Sequence, residues 1–167
     1  NTSNLFPRRI LAEIGKYLDK PGVILLVGAR QVGKTSILYL LMDLLRKKGI
    51  TENRILYFDL EDLNLLEVFN RGVREFLAYL RAHGAEADQR TYVFIDEIQY
   101  MDNPTSFLKL MADHHKSIKL IVSGSSTLEI RRKFKDSLAG RKVTFEVHPL
   151  DFCEYPLFKE EEKLVNV

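Results

Sequence analysis

A five-residue apolar run, Val23-Ile24-Leu25-Leu26-Val27, passes without a break into Gly28-Ala29-Arg30-Gln31-Val32-Gly33-Lys34-Thr35. A continuous run of branched apolar residues reads as a parallel strand buried on both faces. The eight residues after it match the complete Gly-x-x-x-x-Gly-Lys-Ser/Thr pattern. Lys34 to Lys48 then places Ile37, Leu38, Leu40, Leu41, Leu44 and Leu45 at helical spacing, ends on Arg46-Lys47-Lys48 and stops at Gly49. Strand, glycine-rich loop and helix in that order leave few folds open, and each is α/β. The glycines let the backbone wrap a polyphosphate with successive amides pointing inward, and the helix N-terminus adds positive potential. Lys34 is then within reach of the β and γ phosphates, and the Thr35 hydroxyl can ligate Mg²⁺. The candidate nucleotide-binding residues are Gly28, Ala29, Arg30, Gln31, Val32, Gly33, Lys34, Thr35 and Ser36, with Arg30 and Gln31 contributing backbone amides.

The same alternation extends along the chain. Arg8 to Leu18 has a helical apolar face ended by Pro21-Gly22, and strands are predicted over Arg54 to Leu60, Thr91 to Ile95, Ile118 to Val122 and Lys142 to Val147. Helices are predicted over Leu63 to His83, Thr105 to His115 and Thr127 to Lys135. Alternating strands and helices imply a parallel sheet covered on both faces, a three-layer αβα sandwich joined by right-handed crossovers.

Composition agrees with one ordinary domain: 167 residues, 46% hydrophobic and 29% charged, with a net charge of +2. No apolar run approaches the ~20 residues of a membrane span, so no membrane partner is expected. Cys153 is the only cysteine, which excludes an internal disulfide and points to the cytoplasm. Asn1-Thr2-Ser3-Asn4 reads as trimmed or tag-derived sequence. Glu129 to Lys142 carries +4 and Glu146 to Lys163 carries −4, runs that suit solvated faces. His114 and His115 diverge by about 100° on a helix, which does not suit shared metal ligation.

A second motif completes the chemistry. Tyr92-Val93-Phe94-Ile95 runs into Asp96-Glu97, placing two carboxylates at the carboxyl end of a buried strand, where open α/β sheets bind ligands. Asp96 is the expected Mg²⁺ ligand opposite Thr35. Glu97 is the expected catalytic group that orients and polarises water for attack on the γ phosphate. A water-activating carboxylate favours hydrolysis over transfer to an acceptor. Asp96 lies 62 residues beyond Lys34, room for a further strand between helices. The strand after the acidic pair ends in Ser123-Gly124-Ser125-Ser126, and Ser123 is the candidate γ-phosphate sensor; Ser125 or Ser126 equally suits a helix cap. Asp59, Glu61 and Asp62 read as a solvated turn and helix entry.

Together Gly28 to Thr35, Phe94 to Gln99, Ser123 to Ser125, Leu138-Ala139-Gly140-Arg141 and His148 to Phe152 resemble the prokaryotic AAA+-related ATPases whose phosphate-loop domain precedes a C-terminal region of uncharacterised function. The resemblance implies a five-stranded parallel sheet of order 2-3-4-1-5, ATP and Mg²⁺ as ligands, and hydrolysis coupled to movement of the C-terminal region. It also implies a basic residue that senses or completes the site, with Arg141 in the matching position, acting in cis or from a neighbouring subunit, and Arg131 and Arg132 as further candidates. Gln99 matches the family's glutamine after the acidic pair and suits either contact with the attacking water or helix entry. The expected organisation is an ATPase core over 1–148, with 1–20 leading in and 149–167 opening a truncated C-terminal extension. The expected partners are ATP or ADP, further copies of the chain, and a protein or nucleic acid engaged through the C-terminal region. An ATP/ADP-dependent signalling switch with slow hydrolysis and a nucleic-acid-associated ATPase are the alternatives.

Overall fold

The computed structural model of the chain describes residues 5–29, 32–125 and 138–148. Five strands, β1 (Val23–Gly28), β2 (Ile55–Asp59), β3 (Thr91–Asp96), β4 (Ile118–Ser125) and β5 (Lys142–Glu146), form one sheet in the order β2-β3-β4-β1-β5, every pairing parallel. This is the order that the family resemblance implied. Among the described residues five α-helices accompany them: α1 (Leu5–Gly15), α2 (Lys34–Lys47), α3 (Leu63–Asn70), α4 (Val73–Ala82) and α5 (Pro104–His114).

Strand alternation divides the core in two. Val23, Leu25 and Val27 of β1 face one cluster with Phe58, Phe69, Phe76, Val93 and Phe107, under α3, α4 and α5. Ile24 and Leu26 face the other with Ile14, Ile37, Leu38, Leu41 and Phe94, under α1 and α2. The sheet is thus covered on both faces, which is why β1 and β3 read as unbroken apolar runs. In the first cluster Phe58, Phe69, Phe76 and Phe107 meet at ring-centroid distances of 4.7–5.7 Å. Such pairs contribute about 0.5–1.5 kcal/mol each beyond their burial.

Two predicted helices are corrected. Apolar periodicity over 63–83 predicts one helix, but the chain turns at Arg71–Gly72 between α3 and α4, with Gly72 at φ 108°. Both halves bury their apolar face against the same core, so periodicity survives a break that the glycine imposes. The first helix lies three residues earlier than predicted, and Leu18 is fully buried from a turn beyond it. The predicted helix over 127–135 and the residues from 149 onward lie outside the described residues. Asp62 caps α3 as expected, accepting from the amides of Asn64 and Leu65. No helix among the described residues is long and apolar enough to cross a membrane.

Candidate functional site

β1 delivers the phosphate loop to the carboxyl edge of the sheet, beside the ends of β3 and β4. Gly28 is required by space, because a Cβ there would lie 2.6 Å from the Val147 carbonyl oxygen. Gly33 caps α2 at φ 99°, ψ 13°, the left-handed region that glycine enters without strain. Lys34 is 5% exposed, and its Nζ donates to the carbonyls of Gly28 and Ala29, each at 2.7 Å. The lysine therefore bends back onto the start of the loop. Thr35 and Ser36 lie exposed in the first turn of α2, and Val32 is buried beneath the loop. Arg30 and Gln31 lie outside the described residues.

The acidic pair meets this loop directly. Thr35 Oγ1 donates to Asp96 Oδ2 at 2.7 Å, joining residues 61 positions apart. Asp96 is 3% exposed and also accepts from Tyr57 Oη at 2.7 Å and from Ser123 Oγ. Burial first, and then the hydrogen bond to Asp96, push the Tyr57 phenol far above its ordinary pKa, so it stays a donor. Tyr39 of α2 packs against Tyr57 at 4.9 Å. Sequence reasoning missed Tyr57. The usable signal was alternation in β2, which puts Ile55 and Tyr57 on the α2 face, the side from which Asp96 is approached.

Glu97 is the one non-glycine residue at positive φ among the described residues, at φ 63°, ψ 53°. Such a conformation costs about 1–3 kcal/mol and persists where surrounding contacts impose it. Two do so here: its amide donates to Ser123 Oγ at 2.9 Å, and its Oε1 accepts from Gln99 Nε2 at 3.0 Å. Gln99 Oε1 in turn accepts from the Ser125 amide at 3.1 Å. Gln99 therefore ties Glu97 to the end of β4.

Two candidates are placed differently from expectation. Ser123 is fully buried, its hydroxyl donating to Asp96 and accepting from the Glu97 amide. Arg141 precedes β5 at the opposite edge of the sheet from the loop, where its carbonyl accepts from Val23. The length of β1, roughly 17 Å at the usual strand rise, separates the two. Its Nε donates to Asp113 at 2.5 Å, and that guanidinium holds the Asp113 carboxyl below its ordinary range. From there the side chain does not reach the phosphate loop of its own chain. Arg131 and Arg132 lie outside the described residues.

Thr35 and Asp96 fit a magnesium ion. Both offer hard oxygen, and their 2.7 Å separation is close to the ~2.9 Å between adjacent oxygens of an octahedral Mg²⁺ shell. A groove of about 590 Å³ between α1 and β5, lined by Arg9, Ile10, Phe145 and Val147 among others, opens beside the loop where Val147 meets Gly28.

The chain is 34% identical to an uncharacterized protein of Methanocaldococcus jannaschii, MJ1637, over 97% of its own length and 34% of that protein's. The chain spans about a third of the length of the curated relatives it matches. Among solved structures, AMPPCP-bound DnaA from Aquifex aeolicus superposes with a TM-score of 0.57 at 15% identity, over 96% of this chain and 53% of that one. A chain of Drosophila ORC bound to DNA does so with a TM-score of 0.55 at 11% identity, over 88% and 93%. These likenesses are of fold. A family profile described as AAA domain matches residues 20–156, so the chain belongs to the AAA domain family of nucleotide-dependent P-loop ATPases.

Proposed function

We propose that this site binds ATP with Mg²⁺ and hydrolyses it. The observation that carries the reading is the Thr35–Asp96 hydrogen bond, which assembles loop and acidic pair into one constellation with Glu97 beside it. Loop amides and Lys34 hold the β and γ phosphates, and the base lies in the groove between α1 and β5. Mg²⁺, held by Thr35 and Asp96, supplies charge that offsets the growing negative charge on the phosphates. Glu97 orients a water in line with the γ phosphorus and takes its proton, while Tyr57 and Ser123 fix the Asp96 carboxylate.

The test is the melting temperature of the 167-residue chain with ATP, ADP and GTP, each with and without Mg²⁺. Binding to the native state alone stabilises it by about 2.7 kcal/mol at a hundredfold excess over Kd, a shift of several degrees for a chain of this size. We expect such a shift with ATP or ADP, enlarged by Mg²⁺. No shift with any nucleotide would overturn the reading.

Arg141 then serves a neighbouring copy's site. This requires self-association and predicts that specific activity rises with protein concentration in the parent and stays flat in Arg141→Ala, with ATP affinity unchanged. Equal behaviour of the two proteins in an activity-against-concentration series would exclude it. The Gln99 tie on Glu97 favours a second reading, a slow switch in which hydrolysis waits for a partner to free that carboxylate. Nucleic acid and the rest of a longer chain are the partners this reading calls for, in keeping with a structural neighbour described as bound to DNA.

A further inference from the structure

At the sheet edge opposite the phosphate loop, a cavity of about 150 Å³ lies between the α1–β1 turn, the end of α5 and the start of β4. That is several times the space one water occupies. Its charged lining is Asp19, Arg90, Lys116 and Lys119, with His115 beside them. Lys119 is 3% exposed, and two of its three ammonium hydrogens are spent on the carbonyls of Lys20 (2.6 Å) and Gly22 (2.5 Å). Arg90 stacks over the Tyr92 ring and donates through Nη2 to Leu18, but its Nε is buried with no hydrogen-bond partner. Asp19, the lining carboxylate, accepts from Tyr92 Oη at 3.4 Å.

Cations therefore outnumber anions in a confined, partly desolvated space. An unpartnered buried donor costs free energy, and two neighbouring cations raise that cost. Burial, with the Arg90 charge second and Asp19 opposing, lowers the Lys119 ammonium to about 8. The lysine is thus still charged at neutral pH, held there against its surroundings. One ligand chemistry repairs all of this at once: a small anion with several acceptor oxygens, taking the spare Lys119 hydrogen and the Arg90 Nε hydrogen, with His115 and Lys116 at the mouth.

We propose that this cavity is a binding site for a tetrahedral oxyanion of phosphate size, separate from the nucleotide site and at the far end of β1 from it. Cationic side-chain donors meeting a compact anion give charge-assisted bonds that are short and directional. The inference does not depend on ATP hydrolysis, since the geometry involves none of the residues of the phosphate loop or the acidic pair.

Inorganic phosphate also suits the phosphate loop, so the test uses the chain carrying Lys34→Ala. Phosphate is titrated at pH 7 and constant ionic strength while the amide resonances of Gly22, His115 and Lys119 are followed beside those of the phosphate loop. The expected result is saturable movement at the three far-edge amides, weakened about tenfold or more by Arg90→Gln, the loss of one charge-assisted contact. Because Arg90 also braces Leu18, the double variant His115→Ala/Lys116→Ala provides a second reading at the more exposed mouth, and it should weaken binding without altering the fold. Glycerol phosphate in place of phosphate tells a terminal phosphate group from the free ion. Saturation by either supports the site. Shifts that stay linear in phosphate, that appear only in the phosphate loop, or that persist unchanged in both variants would overturn it and leave Lys119 as a staple between β4 and the α1–β1 turn.

Discussion

Glu97→Gln is expected to bind ATP as the parent does while turning it over about 10²–10⁴-fold more slowly, the usual contribution of a positioned general base. The substitution keeps shape and removes charge. An amide oxygen at that position still accepts from Gln99 Nε2, and the backbone amide still donates to Ser123, so the contacts that hold the left-handed conformation survive. The phosphate loop is untouched. What disappears is the ability to take a proton from water and to orient it by charge. Single-turnover hydrolysis beside an ATP-binding isotherm separates the two effects. Turnover equal to the parent's would remove Glu97 from its assigned role.

The contrast between Glu97 and Arg141 shows what a linear reading of this chain captures. Gly28 to Thr35 and Asp96-Glu97 were legible because each is a local device: the loop needs its glycines and helix in immediate succession, and the carboxylates need only the end of a buried strand. The strands around them were legible for the same reason, since burial on both faces leaves uninterrupted apolar runs. Residues whose meaning depends on which strand edge they occupy were not. Arg141 stands beside a motif associated with nucleotide sites, but β5 runs parallel to β1, so a residue at the start of β5 lies at the start of β1 and not at its loop end. Ser123 sits at the correct edge, yet its neighbours in space turn its hydroxyl inward.

Tyr57 and the far-edge cavity were invisible for a related reason. A tyrosine in an edge strand has many uses, and only the pairing of Tyr57 with Phe94 and the approach of α2 reveal that its hydroxyl meets Asp96. Arg90, Lys116 and Lys119 are scattered over a turn, a helix end and a strand, and nothing in their spacing brings them together. The helix break at Gly72 escaped because both halves share one core, which leaves the apolar period intact across the turn.

Lys34→Ala is expected to lose nucleotide binding altogether in the working range while the chain still folds. The Lys34 Nζ makes two bonds to loop carbonyls from a site that is 5% exposed. Deleting it removes the loop's internal brace together with the charge directed at the β and γ phosphates. Two charge-assisted contacts of about 1.5 kcal/mol each correspond to a loss of about two orders of magnitude in affinity. The melting shift given by ATP and Mg²⁺ should therefore vanish at concentrations that saturate the parent. The unliganded variant should still melt cooperatively, because the loop carbonyls of Gly28 and Ala29 regain solvent and both core clusters are unaffected. Its own melting temperature should fall by only a few degrees. A variant that keeps the parent's ATP-induced shift would show that nucleotide is held elsewhere. A variant that fails to fold would assign Lys34 a structural duty larger than two hydrogen bonds, in which case Lys34→Met, which restores the buried stem without the charge, distinguishes lost packing from lost phosphate contact.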